Sequence, residues 1–499
     1  MQRFIDWCNT SRWAELKFLP LIFLLCALPT GLGVVLLTPI GEVPDEPQHI
    51  SRADGLLSGQ ILGINWHGSA TAGVMMNAAL FVATVTEAES PLDQPLPEAA
   101  RRQAASVRWN DRRFGVARLY CTSQMVRYFP AFYAPGALGI GVGQALGIRP
   151  LYSLFLGRGF MLLSFLSMGA AALHFARFGR LLLFTVLTLP MTLYLAGSFN
   201  LDGQMIGAAA LAAALLTRRN PGPNPAWLLA LCLLTTVGCA KAPYAWLLLA
   251  CLPPFYARGF RRRLGLVAAA AAMPAIWLAA ARRSSAWPWP RLPYHPGPLW
   301  PGSRAVTLTA TDVRGNIEVL LAHPAQIVLL PMRALIIQEP AIWQQMIGSI
   351  GWSIRMPRIG FLGPALPHWQ YMGWLLAGAV SALAVMLKEA AQEESAQARC
   401  FWLALLLATV LSIALSAYVT YTSLGATEID GLQGRYFLPV LPFLLFALPV
   451  ARRWRDLPVV KDLAAVPTAL FCVPAILMAV LDVYALPAQI FHMFRMAGP

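Results

Sequence analysis

An all-α polytopic membrane protein is the fold class this sequence predicts, on three observations. Of 499 residues, 58% are hydrophobic and only 12% charged, with a mean hydropathy of +0.58. That balance lies outside the soluble globular range. The apolar residues fall in continuous runs, several of them long enough to cross a hydrocarbon core about 30 Å thick. The runs do not alternate, which excludes a β-barrel. The whole chain, 1–499, reads as one transmembrane domain.

The first span, 18–38, carries no charge and is followed by no small-x-small cleavage site, so it reads as a membrane helix and not as a signal peptide. Further spans are expected near 151–174, 180–198, 203–217, 226–240, 242–257, 264–281, 368–387, 400–420, 435–450 and 465–484, about eleven in all. With a cytoplasmic N-terminus, Arg177/Arg180, Arg218/Arg219, Arg258/Arg261/Arg262/Arg263, Lys388/Arg399 and Arg452/Arg453/Arg455 all face the cytoplasm. Arg282 and Arg283 fall on the opposite side. They open a loop longer than the ~60 residues within which the charge rule operates. The net charge of +15 is spread over these short loops, so it orients the chain and does not argue for nucleic acid.

The apolar stretch 129–147 (FPAFYAPGALGIGVGQALG) would reverse everything after it if it crossed. Being rich in Gly and Pro, it is expected to be a juxtamembrane or re-entrant helix. Two large segments then face outward, 39–128 and 282–366. In the first, Ile50, Ala53, Leu57 and Ile61 recur at helical spacing behind Asp45. Residues 97–113 read as a polar, charged helix. The second opens with SSAWPWPRLPYHPGPLWPG, where Trp287, Trp289 and Trp300 suit an interface. Of eight cysteines only Cys121 lies in a long aqueous loop, so no disulfide framework is expected. No internal repeat is visible.

Charged and polar residues gather at the outer ends of the spans. Asp45, Glu46, His49 and Arg52 follow span one; Asn200 and Asp202 join two spans; Lys241 sits at a boundary; Gln433, Arg435 and Tyr436 open a late span. Ionisable groups at membrane depth cost roughly 2.5–3.5 kcal/mol each on insertion scales and are usually functional. Plainer roles stand beside this one. Asp45 with Gln48 fits a helix N-cap and its partner, Asp202 fits a cap, and Lys241 could snorkel. Capping does not account for Glu46, and Arg435 begins an apolar span on the side where positive charge is disfavoured.

Six blocks occur in order: PDEPQHISRADGLLSG, YFPAFYAPGALG, LPMTLYLAGSFNLDG, KAPY, IGSIGW and GLQGRYFLPVLPFLLF. Together they resemble the bacterial membrane family known as domain of unknown function 2142, over nearly the whole chain. That family in turn looks like a branch of the GT-C glycosyltransferases, similar to aminoarabinose and protein-mannose transferases. Ala131 departs from the double-proline pattern of those relatives.

The resemblance implies a GT-C-like fold in the bacterial inner membrane with a periplasmic active site. It implies a sugar transferred from a polyprenyl-phosphate donor to an envelope glycan or lipid acceptor. On this reading Asp45 is the base, with Glu46 and Asp202 completing the catalytic carboxylates. Lys241, Arg435 and Tyr436 would bind the donor phosphate, and His49, Arg52, Asn200 and Gln433 would bind acceptor or sugar. No resident cofactor is expected, although Asp45, Glu46, His49 and Asp202 are candidate ligands for Mg²⁺ or Mn²⁺. A transporter or flippase of a polyprenyl-linked or anionic substrate is the rival reading, and a structural subunit without activity a third.

Overall fold

The computed structural model describes residues 15–65, 72–88, 98–110, 117–121, 125–218, 223–253, 259–282, 290–294, 296–300, 306–308, 312–351, 354–356, 360–387, 396–449 and 457–495. The basic residues Arg219, Arg258, Arg283, Lys388 and Arg452/Arg453/Arg455, and Trp287 and Trp289, lie outside the described residues.

The chain begins with a 3₁₀ turn, Glu15–Phe18, that runs into α1 (Leu19–Leu37). A tight turn leads to α2 (Glu46–Leu57), which carries the expected stripe only in part: Ile50 and Ala53 are buried, whereas Leu57 ends the helix half exposed. Then comes a feature absent from the all-α expectation, a small antiparallel sheet of β1 (Ile64–Asn65), β2 (Ala72–Asn77) and β3 (Ala117–Cys121) in sequence order. Between β2 and β3 lie α3 (Ala78–Ala88) and α4 (Glu98–Ser106); α4 is the expected charged helix, with Arg102 paired to Glu98 one turn away. The stretch 129–147 forms a 3₁₀ turn, Pro130–Tyr133, and α5 (Ala134–Ala145). α5 packs on α6 (Pro150–Phe175), where a Cβ on Gly139 would stand 2.6 Å from the Gly157 Cα; only glycine permits that approach.

α7 (Arg180–Thr188), α8 (Pro190–Ala196) and α9 (Leu201–Leu216) follow. α9 lies at the centre of the bundle, buried on every side from Leu201 to Leu215, as expected of an Ala-rich helix without a polar face. Next come α10 (Pro225–Ala240), a 3₁₀ helix at Ala242–Cys251, and α11 (Phe260–Arg282). In 282–366 the structure has short hairpins β4–β5 (Pro290–Tyr294, Val306–Leu308) and β6–β7 (Ile354–Met356, Gly360–Leu362). Between them are α12 (Val313–Ala322), α13 (Gln326–Ile337) and α14 (Glu339–Ile347). The chain ends with α15 (His368–Leu387), α16 (Ala396–Thr420), short turns over 434–443, α17 (Leu444–Ala447), α18 (Pro458–Ala465) and α19 (Thr468–Arg495).

Among the described residues, six helices are long and apolar enough to cross a membrane: Leu16–Leu37, α6, α11, α15, Gln397–Thr420 and Thr468–Phe494. The number rises to eight if the bent pairs α8–α9 (116°) and α12–α13 (109°) each count as one span. Eleven full-length spans are therefore not shown: Pro225–Ala240, Ala242–Cys251 and Gly434–Ala447 are shorter apolar helices, and prolines break three of the expected runs. Pro190 ends α7 at Leu189, so 180–198 is two pieces. Beyond Lys241 the run continues as 3₁₀ turns after Pro243, and Pro439 and Pro442 divide 435–450 into single turns. Hydropathy sees the apolar run but not the break. Conversely, α12–α13 lies in a segment read from sequence as a loop.

Candidate functional site

The site is built on the turn between α1 and α2. Asp45 is the one non-glycine residue with positive φ (65°) among the described residues, and its side chain does not cap α2. The N-cap role weighed from sequence is thus not the one it plays. Its carbonyl accepts from the Gln48 and His49 N–H groups, starting the helix, while the left-handed conformation turns its carboxylate away. Aspartate tolerates that region better than most residues, and such conformations concentrate at functional sites.

What holds this turn is a buried ion pair. Glu46 and Arg158 are both fully buried, Arg158 arriving from α6. Arg158 Nε and Nη2 donate to Glu46 Oε1 and Oε2 at 2.7 and 2.5 Å. Nη1 donates to the carbonyls of Val35 and Thr38, and Nη2 also to that of Pro39. The five bonds match the five N–H groups of a guanidinium. Glu46 accepts two more, from the Gly41 and Phe199 N–H groups. Its carboxylate is committed to the fold and turned away from solvent, so the catalytic and metal-ligand roles considered for Glu46 are corrected to a structural one.

Asp45 instead meets Arg435, whose Nη2 donates to Asp45 Oδ2 at 2.8 Å across 390 positions of chain. Arg435 Nε lies 3.8 Å from Asp202 Oδ2, and Lys241 Nζ donates to Asp202 Oδ1 at 2.5 Å. Two carboxylates and two cations thus alternate in one cluster. The Lys241 ammonium also stands over the rings of Tyr436 (4.6 Å) and Tyr128 (5.4 Å), in cation–π range. Side-chain exposure separates the carboxylates: 28% for Asp45 and 2% for Asp202. Asp45 is the one that can reach a ligand; Asp202 organises the cations.

A cavity of about 380 Å³ opens beside this cluster. Asp45, Arg127, Lys241 and Gln433 are polar members of its lining, and the rings of Tyr128 and Tyr436 flank Lys241 there. Apolar residues from α10 (Gly238, Cys239), α11 (Pro274, Trp277, Leu278) and α16 (Ile413, Ala417) make up much of the rest, with Ser416 and Thr420 of α16 among them. α11 is the least buried of the six candidate spans, so this wall is backed by lipid.

Several residues proposed from sequence do not reach the cavity. Arg435 is 3% exposed and stands behind Asp45. His49 is buried, with Nδ1 2.7 Å from the Tyr133 hydroxyl and its ring stacked on Tyr128. Burial, opposed by Asp45 and Asp202 and assisted by Lys241 and Arg435, lowers its pKa to about 4 and keeps the ring neutral. Burial likewise pushes the Tyr128 phenol up to about 12. Arg52 is fully buried and its Nη2 donates to the Ile61 and Tyr128 carbonyls, which places Tyr128; it does not line the cavity. Asn200 Oδ1 accepts from Asp202 N–H, capping α9, while its Nδ2 donates to the Pro44 carbonyl. None of His49, Arg52 and Asn200, expected to bind acceptor or sugar, lines the cavity; each holds a neighbour of the site in place. Only Gln433 of that set lines the cavity. Among the described residues no three of His, Cys, Asp and Glu converge on a metal position, because Glu46 is held by Arg158 and His49 faces Tyr133.

Other contributors were not singled out from sequence. Arg158 had a signal, a lone arginine inside a long apolar run. Arg127 had none beyond its charge. Gln338 Nε2 donates to the Ile429 carbonyl and Gln345 Oε1 accepts from Gly434 N–H, so α14 and its N-terminal boundary pin the loop carrying Gln433 and Arg435.

No curated protein and no solved structure matches the chain. A family model described as a predicted membrane protein, DUF2142, matches residues 28–444, a range that contains every residue of the cluster and its cavity. The chain belongs to this family of membrane proteins.

Proposed function

We propose that the protein is a membrane glycosyltransferase that moves a sugar from a polyprenyl-phosphate donor to an envelope glycan or lipid acceptor at the outer face of a bacterial inner membrane. The observation that carries this reading is the mixed lining of the cavity: the Asp45 carboxylate and the Lys241 and Arg127 cations suit a sugar phosphate, and apolar residues of α10, α11 and α16 suit an isoprenoid tail. Asp45 takes the acceptor hydroxyl proton, a role typically worth 10²–10⁴-fold. The acceptor oxygen then bonds to the anomeric carbon as the bond from that carbon to the phosphate oxygen breaks. The phosphate leaves with the electron pair and is held by Lys241 and Arg127 on the cavity wall and by Arg435 behind Asp45. Tyr436 and Gln433 lie within the same wall and contact phosphate or sugar.

Mass spectrometry of lipids and surface glycans from a deletion strain tests the reaction class. A missing sugar branch with accumulated polyprenyl-phosphate sugar is expected, and Asp45→Asn should reproduce it while the protein stays folded and inserted. An intact glycan profile in the deletion strain would refute the assignment.

The bent pairs α8–α9 and α12–α13 favour a second reading, transport of a polyprenyl-linked or anionic substrate, because transporters build sites at broken helices. That reading predicts an altered sidedness of the lipid without chemical change, a difference the same lipid analysis reads on sealed vesicles.

A further inference from the structure

We infer that the Asp45–Arg435 ion pair is a latch opened by the ligand's phosphate, so that the base is released only when the donor is seated. The inference rests on the proposed phosphate-bearing ligand and concerns how that ligand controls the site. Asp45 lines the cavity and Arg435 does not, so the carboxylate stands between the guanidinium and any anion that enters. Arg435 Nη2 is held by Asp45, while its buried Nε and Nη1 have no partner in hydrogen-bond geometry; the Tyr436 side chain lies beside the guanidinium and its second carboxylate neighbour is 3.8 Å away. Buried guanidinium N–H groups left unpaired are costly, so Arg435 has more donors than its present partners use.

A phosphate offers several acceptor oxygens and can take the place of one carboxylate oxygen on such a group. The backbone of Asp45 cannot withdraw, because the Glu46–Arg158 pair and the Asn200–Pro44 bond fix the turn on either side. Only the side chain moves. Once displaced from Arg435, the carboxylate remains at the cavity wall, where the acceptor hydroxyl arrives. The donor then binds before the acceptor is activated, and water entering an empty site meets a carboxylate already engaged by a cation.

The test is a binding cycle with decaprenyl monophosphate in nanodiscs, with decaprenol and inorganic phosphate as separate probes. Asp45→Asn removes the competitor for Arg435. It should tighten decaprenyl monophosphate about tenfold or more, the scale of one charge-assisted hydrogen bond, and leave decaprenol unchanged. In an Arg435→Gln background the tightening should vanish; if it persists undiminished, Asp45 acts by simple charge repulsion and the latch is refuted. Infrared difference spectra supply a second readout that needs no Arg435 variant. Adding the phosphate to the wild type should shift a carboxylate stretching band that is absent in Asp45→Asn, and an unmoved band also refutes the latch. The same cycle obtained with inorganic phosphate alone would keep the latch and refute the lipid-linked ligand. Absence of binding by either phosphate to wild type and Asp45→Asn refutes both.

Discussion

Replacing Arg158 by leucine is the perturbation whose cost the structure specifies best. It removes all five hydrogen bonds of a fully buried guanidinium and leaves the Glu46 carboxylate with two backbone N–H donors and no cation. It also strips a donor from the Val35, Thr38 and Pro39 carbonyls at the end of α1. Breaking a buried pair from one side typically costs about 3–5 kcal/mol, and each carbonyl left without a partner adds about 1 kcal/mol or more. The Pro39 carbonyl keeps the Glu42 N–H, so two carbonyls are left alone and the expected loss is at least about 5 kcal/mol. With an unfolding entropy near 2.1 cal/mol/K per residue, that is a fall of about 5 °C in Tm for a chain of this length. Thermal unfolding in detergent reads it directly. Pairing Arg158→Leu with Glu46→Met removes both charges together, and the double variant should be more stable than Arg158→Leu alone, because no buried charge is stranded. Arg158→Lys should recover only part of the loss, since an ammonium supplies three donors where five acceptors wait. Additive losses in the double variant, or a wild-type Tm in Arg158→Leu, would refute the argument that this pair holds the turn.

Other outcomes follow from the same geometry. Lys241→Met should weaken decaprenyl monophosphate binding about tenfold to a hundredfold, measured in nanodiscs, because it deletes a cation on the cavity wall and leaves Asp202 with only the distant Arg435. Gly434→Ala would push a methyl group into the Ile342 carbonyl oxygen, so the loop bearing Arg435 must shift; transfer should fall at least about a hundredfold with membrane insertion preserved. In the pH dependence of stability between about 4 and 6, two buried groups act in opposite directions. Burial lowers His49 to about 4, so its contribution is lost as pH falls, and burial raises Asp54 to about 6, so its contribution is lost as pH rises. Asp54→Asn should then make stability climb with pH in this window, relative to wild type, by up to about 1.4 kcal/mol per unit, and His49→Gln should make it decline by a similar slope. Thermal unfolding across that range measures both, and two unchanged profiles would refute the assignment.

The parts of the site that were legible in the sequence share one property: each is a charge set against an apolar background. Asp45, Lys241, Asp202 and Arg435 all flank apolar runs, and the structure brings the four together. Their individual duties were less legible, because a role depends on which partner a side chain meets after folding. Glu46 is adjacent to Asp45 in sequence, yet consecutive residues on a helix point to different faces, and Glu46 points at α6. His49 and Arg52 share the motif and pack behind Tyr128 for the same reason. Arg158 was readable in principle as an intramembrane arginine, but nothing in the sequence names Glu46 as its partner. At the level of the fold, Leu19–Leu37, α6, α15 and α16 follow from hydropathy alone. The breaks at Leu189, beyond Lys241 and after Phe437 depend on prolines whose local effect a hydropathy window averages away. The small sheet of β1–β3 escaped because strands of two to six residues leave little periodic signal.

α11 gives the cavity a wall unlike its others. The carboxylate turn is braced by Arg158 and Asn200, and the cation loop is pinned by Gln338 and Gln345. α11 has few such ties: it is the least buried candidate span, contains Pro274, and leans on the site through Trp277, whose indole N–H donates to the Arg127 carbonyl. The side of the pocket free to yield is therefore the side in contact with the bilayer. Lateral pressure and hydrocarbon thickness bear on that helix directly, so the width of the pocket is set partly by the lipids around it, and the same polypeptide would work at different rates in thin and thick membranes.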